Sequence, residues 1–171
     1  MPPAHAAMLE TFQRHMTAEV TGDIETALAT MTDDPYVNHV PVMTGGVGRD
    51  GVRHFYSHHL VGKFFPPETE IVNVSRTIGE DQLVEELVVK FTHTMPIEWM
   101  LPGVPPTGRR VEAAAVVIIK CEGGKIAHEH SYWDQASVLV QLGLLDPAGL
   151  PVSGAESVHT VLDPKLPSRS L

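Results

Sequence analysis

The stretch RVEAAAVVIIKCEGGKIAHEHSYW, Arg110 to Trp133, decides the fold. Gly123-Gly124 divides it into two runs of strand composition, and a Gly-Gly pair between such runs marks a β-hairpin. In the first run, Ala113 to Ile119 is apolar at both parities, so both faces of that strand need cover. The second run alternates. His128, His130 and Tyr132 share one face of the strand, while Ala127, Glu129, Ser131 and Trp133 share the other. Which face lies inside determines whether the chemistry belongs to Glu129 or to the histidines. The spacing His128-x-His130, with Asp134 four residues on, can also be drawn as a two-histidine, one-carboxylate metal triad, but no further ligand completes it.

Upstream of the hairpin, Thr69 to Ile78 and Leu83 to Met95 read as two more strands, separated by Gly-Glu-Asp. A proline-rich connection, MPIEWMLPGVPP, leads from the second of them to Arg110 and reads as a mouth loop with Trp99, Met100 and Leu101 exposed. Downstream, Asp134 is placed to cap a helix from Gln135 to about Leu142, closed by Gly143. The residues before Pro66 follow helical spacing instead. Met8, Leu9, Phe12, Met16 and Val20 recur at threes and fours. Gly22 stops that helix, and Asp23 caps a short second one with Ile24, Ala27, Leu28 and Met31 facing inward. Tyr36 to Val40 is compact enough for a short strand; Gly45, Gly46 and Gly48 read as a flexible loop. A third helix then carries Val52, Phe55, Tyr56 and Leu60. Three helices packed on a curved, mainly antiparallel sheet, with a C-terminal helix, describe an α+β domain over residues 1–145. Residues 146–171, rich in Pro, Ser and Gly, read as an extended tail.

A chain of 171 residues is long enough for one domain with a substantial core. Its net charge of −9 disfavours nucleic acid and anionic membrane surfaces as partners. Cys121 is the sole cysteine, which excludes an intrachain disulfide and a cysteine-rich zinc site. With no basic-then-apolar start and no long apolar run, a cytoplasmic location is expected. His54 and His58 stand one helical turn apart without the glutamate of an HExxH motif, so no metal role is assigned there. Phosphate-loop, Rossmann and nucleophile-elbow signatures are absent.

The run GVPPTGRRVEAAAVVIIKCEGGKIAHEHSYWDQASVLVQLGLL resembles the SnoaL-like polyketide cyclases. These sit in the wider superfamily of nuclear transport factor 2, ketosteroid isomerase and scytalone dehydratase. The pieces that carry the resemblance are the PPTGRR loop at Pro105 to Arg110, the Gly-Lys-Ile turn and the Trp-Asp-Gln start of the last helix; it extends over Leu9 to Leu145. It implies a cone-shaped α+β barrel whose helices close one face of the sheet over an apolar pocket for a small hydrophobic molecule. In the cyclases an aspartate on the last strand is acid and base. Aligning the Gly-Lys-Ile turn puts Ser131 there and Val117 at a pocket histidine, while His93 matches a histidine after the second long strand. The pocket face still carries a carboxylate one pleat back, Glu129.

The expected catalytic residues are therefore Glu129, His39 and His93. Asn38, Phe91, Trp99, Met100, Ser131, Tyr132, Trp133 and Asp134 are expected to bind substrate, with neither metal nor cofactor. Asp134 has a structural alternative as helix cap, and Phe91, Trp99, Met100 and Trp133 as plain core. The function expected is cofactor-independent acid–base chemistry, as an isomerase or lyase, on a hydrophobic or aromatic carbonyl compound. The alternatives are a binding or partner protein of the same fold and an epoxide or lactone hydrolase. A homodimer through the sheet is expected, because the outer face of Ala113 to Ile119 is apolar too.

Overall fold

The computed structural model describes residues 2–169. Helix α1, Pro3–Thr21, begins with proline in its first turn, where a missing N–H costs nothing. It ends at Gly22, whose φ of 76° lets its N–H turn back to Ala18 and Glu19. The face that α1 buries is Met8, Phe12, His15, Ala18 and Glu19. This differs from the apolar stripe expected: Met16 is only partly buried and Val20 is 60% exposed. The helix is rolled so that two polar residues point inward. Helix α2, Ile24–Ala29, is capped by Asp23, whose Oδ1 accepts from the Thr26 N–H at 3.0 Å.

Strand β1 spans Met31–His39 and begins five residues before the strand read from the sequence. The glycine-rich stretch behind it is an edge strand, β2, Thr44–Val47. A Cβ on Gly45 would sit 2.0 Å from the Val37 carbonyl oxygen, so the glycine is a requirement of strand pairing rather than of flexibility. Helix α3, Gly48–Phe55, runs into one π-turn, Tyr56–Leu60. The long strands follow: β3 Glu70–Ile78, β4 Gln82–Thr92, β5 Arg110–Glu122 and β6 Lys125–Trp133. Helix α4 is Gln135–Gln141, with the Asp134 carboxylate accepting from the Ser137 N–H at 3.0 Å.

The six strands form one open sheet in the order β2-β1-β6-β5-β4-β3. It is antiparallel except that β1 lies parallel to β6. Directly paired residues share a face, so the register names the inner surface: Val37 beside Glu129 and Ile119, His39 beside Ser131 and Val117, Trp133 beside Ala115 and Leu87. Where β6 ends, Gln141 of α4 takes over as a pairing partner. Its Oε1 accepts from the Glu112 N–H and its Nε2 donates to the Glu112 carbonyl, both at 2.8 Å.

The tail is not simply extended. It forms helix α5, Glu156–Leu162, which lies against β5. Val158 is buried there and His159 Nε2 stands 3.5 Å from Glu112, an outer-face residue of β5. The outer face of β5 around Glu112 is thus covered in cis. No helix among the described residues is long and apolar enough to cross a membrane.

Candidate active site

Glu129 is buried on the inner face of β6, and α1 crosses above it with His15 and Glu19 one turn apart. The His15 tautomer follows from its partners. Nδ1 lies 2.7 Å from Thr30 Oγ1 and 3.2 Å from the Ala27 carbonyl, which can only accept, so Nδ1 carries a hydrogen. Nε2 then faces three groups: Glu19 Oε1 at 3.1 Å, the Tyr56 hydroxyl at 3.1 Å and Glu129 Oε2 at 3.9 Å. Tyr56 is delivered by the π-turn, a helix irregularity frequent at functional sites. On its other side, Glu129 Oε1 accepts from the Ser131 hydroxyl at 3.3 Å, while Oε2 is buried without a hydrogen-bond partner.

These contacts set the charges. Burial raises Glu129, and the nearby Glu19 carboxylate raises it further, to about 7. Burial opposes a charge on His15, but Glu19, by charge and by hydrogen bond, lifts it above the ordinary imidazole value. Burial likewise raises Glu19, yet His15 brings it below the ordinary carboxylate range. Burial drives the Tyr56 phenol well above its usual value. His39 shows the opposite outcome: burial drives it down to about 4, so it is a neutral imidazole at pH 7. Its ring is walled by Trp99 at 4.8 Å, Phe55 at 5.5 Å and Trp133 at 6.2 Å between centroids, and its Nδ1 has no partner.

The other expected site residues divide by strand parity. Ser131, Trp133 and Phe91 share the inner face with Glu129. Trp99 and Met100 are also interior. Contrary to the mouth-loop reading, Trp99, Met100 and Leu101 are all buried, because the connection is sewn down. The indole of Trp99 donates to the Phe64 carbonyl at 2.7 Å, Thr44 Oγ1 donates to the Trp99 carbonyl at 2.5 Å, and Gln135 Nε2 donates to the Met100 carbonyl at 3.2 Å.

Asn38 and Tyr132 are corrections. Each sits one residue from an inner-face neighbour and so points to the outer face, with Asn38 in register with His130. His128 and His130 are there too, rings stacked at 4.7 Å. Asp134 is exposed and occupied as the α4 cap. His93 is fully buried but stands apart from Glu129. It lies ten residues along β4 from Leu83, which is in register with Ile119 and hence with Glu129. At about 3.3 Å per residue that is roughly 33 Å of strand path. Its Nδ1 accepts from the Thr107 N–H at 3.3 Å.

His15, Glu19 and Tyr56 are the site residues that sequence reasoning missed. The signal was present in the spacing: Met8, Phe12, His15 and Glu19 lie at i, i+4, i+7 and i+11, one helix face. Hydropathy favoured the neighbouring stripe through Met16 and Val20. The facing polar atoms of His15, Glu19 and Glu129 lie within 4.8 Å of one another, close enough to act as one charge cluster. A shared proton satisfies the same geometry. A small cleft of about 220 Å³, lined by Met43, Thr44, Gly45, Phe55, His59, Glu98 and Pro102, abuts the site through Phe55.

Comparison with known proteins bears on the fold and the family. The SnoaL-like domain model matches residues 12–129. A solved structure provisionally named a SnoaL-like polyketide cyclase, from Jannaschia sp. CCS1, superposes with a TM-score of 0.67 at 18% identity, covering 85% of this chain and 98% of that one. IdmH of Streptomyces antibioticus, also provisionally named a polyketide cyclase, gives 0.59 at 22% identity, covering 80% and 98%. A protein of ketosteroid isomerase-like fold from Catenulispora acidiphila, solved with trimethylamine, gives 0.57 at 15% identity, covering 80% and 94%. No curated protein matches the chain. At these identities the structural likeness carries the fold alone, and it is the domain match over residues 12–129 that makes this chain a member of the SnoaL-like domain family.

Proposed function

We propose that the protein is a cofactor-independent enzyme that moves a proton on a small hydrophobic or aromatic carbonyl compound, by isomerisation, dehydration or cyclisation. The observation that carries this reading is a pair of buried polar atoms with no partner, Glu129 Oε2 and His39 Nδ1. They belong to the same face of adjacent strands, one strand spacing and two residues apart, or roughly 8 Å between Cα atoms. A buried polar atom left unpaired is costly unless a ligand or water completes it. Glu129, poised near neutrality, removes or returns the proton. Neutral His39 holds the carbonyl end by hydrogen bond, and Trp99, Trp133 and Phe55 form the apolar wall. The ligand enters at the Phe55 cleft. The outer half of the sheet left uncovered by α5, including Tyr36, Val116, Ile118 and Tyr132, is the surface of a homodimer.

The test is to screen aromatic and alicyclic ketones for deuterium exchange at the carbon next to the carbonyl, comparing the natural protein with Glu129→Gln. Exchange catalysed by the first and lost in the second supports the enzyme. Saturable binding with no exchange in either favours the binding protein, and exchange unaffected by the substitution removes Glu129 from the mechanism.

A further inference from the structure

The acid–base reading leaves unexplained why a helix should bury a histidine and a glutamate above the carboxylate that reacts. His15 is wholly enclosed and Glu19 is 5% exposed, and burial of a charged pair is expensive unless the geometry repays it. Both nitrogens of His15 are engaged. Nδ1–H is fixed by Ala27 and Thr30, so the only ring position free to gain or lose a proton is Nε2, and Nε2 is aimed at two carboxylates and the Tyr56 hydroxyl. Thr30 Oγ1 in turn donates to the Ala27 carbonyl at 2.6 Å, which leaves it free to accept from Nδ1. A neutral His15 would present its Nε2 lone pair to Glu19 at 3.1 Å, lone pair against lone pair. A protonated one makes a charge-assisted hydrogen bond there and sets a cation 3.9 Å from Glu129.

We propose that His15 and Glu19 are positioning residues for Glu129: Glu19 holds His15 as an imidazolium, and that buried cation is the counter-charge against which Glu129 takes up and releases its proton. The inference rests on the acid–base reading of Glu129 and adds to it the device that keeps a carboxyl in this interior able to ionise. Proton balance is simple. When Glu129 receives a proton from substrate carbon, the His15–Glu19 pair is left as a neutral ion pair. When Glu129 returns the proton, the imidazolium offsets the negative charge that reappears. No net proton enters or leaves the dyad during the cycle. The titratable groups that face Glu129 are His15 and Glu19 from α1 and Tyr56 from the π-turn; His39 of β1 stands near Glu19. Ser131 is its one hydrogen-bonding neighbour on β6. Of these, only His15 stands within 4 Å of Glu129 as a potential cation.

The roles are read without any substrate, by NMR on the full-length protein with labelled histidine and glutamate. In the natural protein the ¹⁵N shifts of His15 should show both ring nitrogens protonated at pH 7; an Nε2 that is bare at pH 7 overturns the inference and needs no variant. The Glu129 carboxyl, identified by its absence in Glu129→Gln, should titrate near neutrality. In His15→Gln its midpoint should rise by about one unit or more, the effect of removing an opposite charge at this range. In Glu19→Gln the His15 midpoint should fall. A His15 that only fills space would lower the melting temperature in these variants and leave the Glu129 midpoint where it was, and that result also overturns the inference. Failure of the underlying reading looks different: full exchange activity in Glu129→Gln removes Glu129 as catalyst and this inference with it, whereas an unmoved midpoint removes only the dyad.

Discussion

The two faces of β6 are built from alternate letters of one nine-residue strand, yet they live in different solvents. On the inner face, Glu129 and Ser131 are buried at 5% and 6% exposure, and Glu129 is tied to helix α1 by charge. On the outer face, His128 and His130 stack on one another, Tyr36 meets His130 edge-on at 5.4 Å, and Tyr132 is 41% exposed. The outer row holds more imidazole, the usual acid–base residue, but the inner row holds the carboxyl that is raised to about 7. Residue type proposes a role, and burial beside a fixed charge supplies it.

The sharpest way to break this contrast is turnover. Glu129→Gln keeps the shape and removes the titrating proton, so the rate of the exchange reaction should fall by roughly 10²–10⁴. His128→Ala, one residue away, should leave it within about twofold. Steady-state rates on the first ketone found to exchange decide the matter. The reverse pattern would show that the outer pair does the chemistry.

Stability should separate the faces next. His15→Ala leaves Glu19 and Glu129 enclosed with no cation, and breaking a buried pair on one side typically costs about 3–5 kcal/mol. His130→Ala on the outer face removes a stacked, half-buried ring and should cost about 1 kcal/mol. Urea unfolding of the two variants gives the comparison directly, and equal losses would contradict the asymmetry.

How far this was legible in advance differs between the strands and the helix. The β5–β6 hairpin, the sorting of Glu129, Ser131 and Trp133 onto one face and the capping role of Asp134 follow from period-two alternation and turn chemistry, which are local, whereas the inward direction of that face was implied only by the resemblance to the SnoaL-like cyclases. Edge strand β2 was not legible, since Gly45 and Gly46 look like a loop unless one knows that the backbone of β1 passes through the space of a Cβ. Nor was the burial of Trp99 and Met100, which depends on bonds from Thr44 and Gln135, dozens of residues away in the chain. The pairing of His15 with Glu129 was hidden for the same reason. A histidine at an inward helical position looks like a defect in an amphipathic pattern until the strand beneath it is seen to carry a carboxylate.

Acidity offers a finer comparison, between the two buried groups on adjacent strands. Glu129 is raised from about 4.5 to about 7, so its native form holds a proton the unfolded chain has lost; its contribution to stability is present below about pH 4.5 and is lost as pH rises to 7. His39 is lowered from 6.5 to about 4, so its contribution is present above pH 6.5 and is lost as pH falls to 4. The two slopes oppose one another. Glu129→Gln should therefore flatten the loss of stability between pH 4.5 and 7, by an amount on the order of 2–3 kcal/mol, and His39→Gln should flatten the acid limb between 6.5 and 4. Urea midpoints measured at pH 4, 5, 6, 7 and 8 would show both changes; parallel curves for either variant would mean that its group keeps an ordinary acidity.

The smallest effect expected is on assembly, and it tests what the outer row is for. Helix α5 already covers Glu112 and its surroundings, so a partner has only the remaining strip to occupy, with Tyr132 and the stacked His128 and His130 at its centre. The pKa of His128 is lowered, first by partial burial and then by the neighbouring His130, so a positive charge on His128 is resisted. Light scattering at micromolar concentration and pH 7.5 should give about twice 18.6 kDa. Tyr132→Glu places a charge in the strip and should weaken the dimer by about tenfold or more while leaving exchange activity in place, since the substituted side chain points away from Glu129. A mass near 18.6 kDa for the natural protein would mean that the His128–His130–Tyr132 row is an ordinary solvated face. Loss of activity together with the dimer would mean that the second copy supports the inner site, and the two faces of β6 would then be coupled rather than independent.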